Sequence, residues 1–181
     1  MQFNIDIDKS IETSLYILNK LGSCDLHKLY KIIYFAEKNH LSQYGRPITG
    51  DFFIAMKYGP VPSFLCNVFN FIRKGNISYT INRDVASDFE VVDDIYIGPK
   101  REANCDLLSL TDLECLDNAI NDNKDLSFRQ LTEKSHDDAW EKADYNSEIS
   151  PLDMANCQGV NIEMIRYIQL NMEHQNSFSC P

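Results

Sequence analysis

Apolar positions in the first half of the chain recur every three or four residues. Ile7, Ile11, Leu15, Leu18 and Leu21 predict an amphipathic helix that stops at Gly22. A second helix is predicted from a cap at Ser23 or Asp25 to about Tyr44, with Gly45 placed to end it. At 3.6 residues per turn, Leu26, Leu29, Ile33, Ala36, His40 and Tyr44 share one arc of roughly 140° with Tyr30 and Leu41. Ile32 and Phe35 fall outside that arc, so the helix is apolar on two sides, the pattern of a central helix contacted by several others. Lys31 and Lys38 share the remaining face, with Lys28 about a turn away.

Gly45-Arg46-Pro47 breaks the pattern. Phe52 to Met56 is apolar and of strand length, and Tyr58-Gly59-Pro60-Val61-Pro62 reads as an irregular turn, because proline disfavours helix at the residue before it. Pro62 suits the first turn of a third helix carrying Phe64, Leu65, Val68, Phe69 and Ile72 and ending at Gly75. The pattern then shortens to alternation. Ile77-Ser-Tyr79-Thr-Ile81, with Phe89-Glu-Val91 and Ile95-Tyr-Ile97, predicts a small antiparallel hairpin within residues 76–98. Helices resume at two capping boxes, Thr111 with Glu114 and Ser127 with Gln130. Ser135 reads as the cap of a segment containing Trp140, with Asp137 and Asp138 stabilising its N-terminus. Ser150-Pro151 opens a short helix, and Asn161 caps a last one carrying Ile162, Ile165, Ile168 and Met172, followed by a frayed polar tail after Glu173. The expected fold is mainly α, a compact multi-helix domain around a central buried helix. One domain is expected over residues 1–175, with 176–181 a disordered tail.

Composition narrows this picture only a little. With 181 residues, 44% of them hydrophobic and 24% charged, the chain has the make-up of a folded globular domain. No apolar run approaches the ~18–20 residues of a membrane-spanning helix, and the acid-bearing N-terminus has no signal-peptide pattern. A soluble protein of the cytoplasm is expected. Charge changes the picture more. The net charge of -10 is concentrated in residues 84–148, where eighteen acids face six bases, whereas residues 1–83 carry ten bases and six acids. The acidic total argues against general affinity for nucleic acid, although the Lys28/Lys31/Lys38 face is the one local candidate for an anion.

Candidate chemistry is sparse. The six cysteines form no Cys-x-x-Cys pair, and Cys24-x-x-His27 lacks a partner pair, so neither a zinc site nor a disulfide framework is expected. No phosphate loop and no Gly-x-Ser-x-Gly elbow occurs. His40 lies inside the apolar arc and reads as a hydrogen-bonded core histidine. His136, beside Asp137 and Asp138 and four residues before Trp140, stays open between a partner contact and a general base.

Three segments nevertheless carry a resemblance: Lys28-Leu-Tyr-Lys-Ile-Ile-Tyr-Phe-Ala-Glu37, Leu41-Ser-Gln-Tyr-Gly-Arg-Pro47 and Phe53-Ile-Ala-Met-Lys-Tyr-Gly-Pro-Val-Pro62. In this order they resemble the Panacea, or SocA-like antitoxin, domain, which is also associated with phages. Its signature runs from a lysine-bearing apolar helix with Tyr-Phe-Ala through Gly-x-Pro to a Gly-Pro-Val turn. Leu131-Thr-Glu-Lys-Ser-His-Asp-Asp-Ala-Trp140 is similar to its second block, and Met56 stands where many relatives have tryptophan. The resemblance implies a toxin-neutralising protein without enzymatic activity or cofactor. Its partner would be a cognate toxin encoded next door, bound one-to-one or by a homodimer. In some members a protease receives the toxin, so a proteolytic adaptor or a regulatory interaction module is the alternative, and a His136-dependent enzyme a further one. Lys57, Tyr58, Gly59 and Pro60, with His136 and Trp140, are the expected recognition surface, and the acidic segment would steer a basic toxin.

Overall fold

A computed structural model describes residues 2–74, 85–93 and 95–177. The first helix, α1 (Ile7–Leu21), starts at Asp6, whose side chain accepts from the Lys9 N–H, and stops at Gly22. Cys24–Asp25 forms a two-residue strand, β1, and Asp25 then caps α2 (Leu26–Tyr44) by accepting from the Lys28 N–H. Gly45 closes α2 in the left-handed conformation, at φ 67°. A Cβ there would stand 2.3 Å from the Tyr167 ring, so glycine is required both by the backbone and by the neighbour packed on it.

The two-sided apolar pattern of α2 has its expected result. Leu29, Ile32, Ile33, Tyr34 and Ala36 are fully buried, and α1, the strand Gly59–Pro62 and the helices Leu110–Asn123, Phe128–Ser135 and Pro151–Asn156 pack around the helix. Polar residues of α2 are buried with it. The Glu37 carboxylate accepts from the backbone N–H groups of Ile48 and Thr49 at 2.7 and 2.8 Å and from the Thr49 hydroxyl, which folds the 45–51 loop against the helix. Burial pushes the Glu37 carboxyl above the usual carboxylate range.

Phe53–Met56 (β2) and Gly59–Pro62 (β3) form an antiparallel hairpin in which Ala55 faces Pro60 and Phe53 faces Pro62. The stretch expected as an irregular turn is therefore mostly a strand. Ser63 donates to the Phe52 carbonyl, so the hydrogen-bonded pairs fall at alternate positions and both prolines occupy the others, where a missing N–H is harmless. The far edge of β2 is covered by the 146–149 segment, with the Ala55 N–H donating to Ser147 O and the Ile149 N–H to Phe53 O. Pro62 ends β3 rather than opening the next helix. The N-terminus of α3 (Ser63–Lys74) is held by Asp51, whose carboxylate accepts from the Phe64 and Leu65 N–H groups.

Of the expected 76–98 hairpin, Ile77, Tyr79 and Ile81 lie outside the described residues. Its described part is β4 (Phe89–Val92) paired with β5 (Tyr96–Pro99), and β1 adds to β5 to give a three-stranded antiparallel sheet. Arg101 ties that sheet to α1 with a fork of hydrogen bonds, at 2.7 Å to Glu12 and 2.7 Å to Asp88.

In the second half, α4 (Leu110–Asn123) does carry a capping box, but two residues earlier than expected. Ser109 and Asp112 form it, and Thr111 lies inside the helix. The Ser127–Gln130 box of α5 (Phe128–Ser135) stands as expected. Ser135 is the last residue of α5, and the cap of α6 (Asp138–Lys142) is Asp137, which accepts from Ala139 and Trp140. Short α7 (Pro151–Asn156) follows its Ser150 cap. Asn161 accepts from the Met164 N–H at the start of α8 (Ile162–Ser177), which runs past the expected frayed point at Glu173. The domain is mainly α-helical, with two small antiparallel sheets among the described residues.

The buried ion cluster joining α1, α2 and α4 centres on Asp112. Its carboxylate lies 2.6 Å from Lys9 Nζ, 3.0 Å from His40 Nε2 and 3.6 Å from the Arg46 guanidinium, and it accepts from the Ser109 N–H. Burial pushes this carboxyl up, but the hydrogen bonds from His40, Lys9 and Ser109 outweigh it and hold it well below the usual carboxylate range. His40 is the fully buried, hydrogen-bonded histidine expected from the apolar arc, with Nδ1 donating to Arg46 O at 2.7 Å.

Candidate functional site

The expected recognition residues come together at the β2–β3 turn. Trp140 donates its indole N–H to Met56 O at 3.1 Å, and His136 stacks flat on the Trp140 ring, with centroids 3.7 Å apart and planes 9° from parallel. This brings α6 and the end of α5 against the hairpin. Gly59 adopts φ 91° because the site has no room for a side chain: a Cβ would meet Ser135 Oγ at 2.3 Å and Lys31 Cε at 2.9 Å. Pro60 contributes its outward-facing carbonyl, which accepts from Lys31 Nζ at 2.8 Å.

Beside this turn lies a cleft of about 310 Å³. Lys57, Tyr58 and Gly59 line it on one side, and His27, Lys31 and Phe128 on others. Its rim is apolar and open to solvent: Met56, Tyr58, Phe128 and Tyr145 are each at least 40% exposed. Rings organise the wall. His27 stacks on Phe128 at 3.9 Å, Phe128 meets Tyr58 edge-on at 5.4 Å, and Lys57 Nζ lies 5.2 Å from the Tyr58 ring centre. His27 Nε2 also lies 3.0 Å from Thr132 Oγ1 and 3.3 Å from Tyr58 O, which fixes the imidazole between α5 and the turn.

Electrostatically the cleft is cationic. Lys31 is 1% exposed, and its burial pushes the ammonium down to about 7. Burial and the nearby Lys31 charge hold His27 down to about 4, and the same two causes lower His136. His27 is therefore neutral at physiological pH. The basic face expected from Lys28, Lys31 and Lys38 does not form. Lys31 and Lys38 are buried, Lys38 is paired with Asp137, and Lys28 donates to Lys124 O. Tertiary contacts on the supposedly open side of α2 turned two of its three lysines inward.

None of the described cysteines lines this cleft. Burial pushes Cys24 up to about 12 and Cys115 up to about 11, so neither is a ready thiolate. Among the described residues no three His, Cys, Asp or Glu side chains are grouped to hold a metal ion, and no helix is long and apolar enough to cross a membrane.

His27 stood out in the sequence only as part of Cys24-x-x-His27, and Phe128 and Tyr145 were not singled out. Phe128 is the first residue of α5, a position that reads as an ordinary exposed helix start, and Tyr145 sits in a loop, so no periodicity marks either.

Gly59→Ala is expected to destabilise the protein by about 2 kcal/mol or more, because the strained φ and the collision with Ser135 act together. Gly22→Ala provides the comparison, since φ is 77° there but nothing lies within 4 Å of an added Cβ. Its cost should be the smaller of the two, about 1–2 kcal/mol, from the strained backbone alone. Urea unfolding of the two variants checks the difference.

A small, mainly helical domain with an aromatic-rimmed cleft at a hairpin turn is thus the class that fold and site define. Over residues 29–141, well beyond half its length, the chain matches the family described as antitoxin SocA-like, Panacea domain. The chain belongs to that family. Searches of the curated proteins and of the solved structures returned no match.

Proposed function

We propose that this protein is an antitoxin that neutralises a cognate toxin by binding it directly, with the cleft at the β2–β3 turn as the contact surface and no chemistry of its own. One observation carries the reading. The cleft lies where the segments that hold the family's motifs meet: Lys31 and Met56 to Gly59 line it, while His136 and Trp140, outside the lining, brace the same turn through Met56 O and their stacked rings. A stoichiometric inhibitor needs a shaped surface with aromatic anchors, and Tyr58, Phe128 and Tyr145 supply three around a concavity. The antitoxin description of the family supports a toxin as the partner.

The enzyme alternative has less support. His136 is stacked on Trp140 and its pKa is lowered, with no described thiol or carboxylate hydrogen-bonded to it as a catalytic partner would be. Nucleic-acid binding through α2 loses its basic face to burial.

The test is co-expression with the product of each adjacent gene, scoring growth and co-purification. One product should arrest growth alone and be rescued while held in a stable complex with this chain. Harmless neighbours that form no complex would remove the reading.

A further inference from the structure

The cleft wall contains a lysine amine, titrating near neutrality, that the protein itself leaves without a counter-charge. Lys9 and Lys38, the other lysines drawn largely out of water, each meet a carboxylate, Asp112 and Asp137 respectively. Lys31 is more deeply buried than either side chain. Among the described residues, its one hydrogen bond goes to Pro60 O, and burial alone accounts for its lowered pKa, with no acid nearby to offset it. An ammonium has three donors, so two remain without a protein acceptor. A buried charge lacking a partner is a costly arrangement, and a carboxylate brought to it within a low-dielectric cleft would gain far more than one on the surface.

The surroundings match in sign. Lys57 also lines the cleft, and none of the residues lining it is acidic, although the chain as a whole carries a net charge of -10. The rim is aromatic, suited to the apolar stem and neighbours of an inserted side chain.

We propose that the cleft receives an Asp or Glu side chain of the protein partner, its carboxylate pairing with the Lys31 ammonium while Tyr58 and Phe128 enclose the flanking apolar residue. This rests on the cleft being the partner surface, and it names what that surface selects. The overall negative charge then steers the partner's basic body, and the cleft selects one acidic residue on it. The acidic residue is a specificity device: a partner presenting an amide or a base there leaves Lys31 unpaired.

The test uses short probes on the full chain, followed by amide NMR. Acetyl-Phe-Glu-amide should shift the Tyr58, Gly59 and Val61 signals, while acetyl-Phe-Gln-amide binds at least tenfold more weakly. Lys31→Met should erase the difference between the two peptides. If that variant fails to fold, the Glu-to-Gln comparison on the unaltered protein still decides. Equal binding of the two peptides, no binding of either, or acetate alone binding as well as the Glu peptide would each overturn the proposal. Its failure is separable from that of the antitoxin reading. A neighbour's toxin that is bound and neutralised equally well by Lys31→Met sinks only the carboxylate assignment. Selective Glu-peptide binding without any toxic neighbour leaves the carboxylate site standing and sinks the antitoxin role.

Discussion

Asp112→Ala is expected to destabilise the protein by about 3–5 kcal/mol, the range for removing one partner of a buried charge cluster. The fully buried carboxylate joins Lys9 of α1, His40 of α2 and the N-terminus of α4, so its loss strands a lysine and a histidine and removes half of a capping box at once. Asp112→Asn should recover part of the loss, since the amide oxygen can still accept from the Ser109 N–H while the charge is gone. The pH dependence has a defined sign. The folded-state pKa of Asp112 is depressed, so its stabilisation is complete above the unfolded carboxylate value of about 4 and is lost as pH falls further toward the folded value. Urea unfolding at neutral pH and at a series of pH values below 4 should show the wild type losing a stability increment that Asp112→Ala lacks. Parallel curves for the two proteins would mean the cluster contributes no charge-dependent stability.

Loss of partner binding is the second large effect expected, and it comes from the cleft rim. Tyr58→Ala and Phe128→Ala should each weaken the toxin complex by roughly 30-fold or more, the ~2 kcal/mol threshold of an interface anchor. Both rings are about half exposed in the free chain and meet edge-on, so the double variant should fall short of the product of the single effects. Because these side chains contribute little to the core, thermal unfolding of the free protein should move by only a few degrees. Tyr167→Ala, equally exposed on α8 and away from the cleft, is the control and should bind unchanged. Titration calorimetry with the purified partner measures all four. Full affinity in Tyr58→Ala and Phe128→Ala would move the contact surface elsewhere on the domain.

The family's motif blocks also explain why these residues belong together. Glycine at 59 permits a backbone approach to Ser135 and Lys31 that no other residue allows, and Trp140 reaches the carbonyl of Met56 across the same gap. The tryptophan that many relatives place at this position is a 40%-exposed Met here, so its side chain sits at the rim of the cleft. The change alters what a partner touches and leaves the backbone carbonyl used by Trp140 in place.

Much of this was readable from residue order. The period of α2, apolar on two sides, was enough to make it the central helix, and His40 inside that arc was correctly a core histidine. Ser127–Gln130, Ser150-Pro151 and Asn161 marked three helix starts, because capping is a local hydrogen-bond problem solved within four residues. Other features depend on partners distant in sequence. Pro60 and Pro62 looked like turn residues, yet each falls opposite a β2 residue at a position that requires no N–H, a register set only by pairing. Asp51 caps α3 from twelve residues upstream of its first helical residue, and Asp137 displaced Ser135 as a cap because it also receives Lys38 and Tyr34 from α2.

The sequence by itself determined the helical periods, several of the local caps and the family; periods and such caps rest on contacts within a turn or two of the chain. Tertiary structure decided what Lys31 became. A lysine on the polar side of a wheel reads as solvated, and only the hairpin and the end of α5 closing over it, with Pro60 O taking one of its protons, make it the buried cation of a cleft. Burial belongs to the assembled surface around a residue, and no local pattern encodes it.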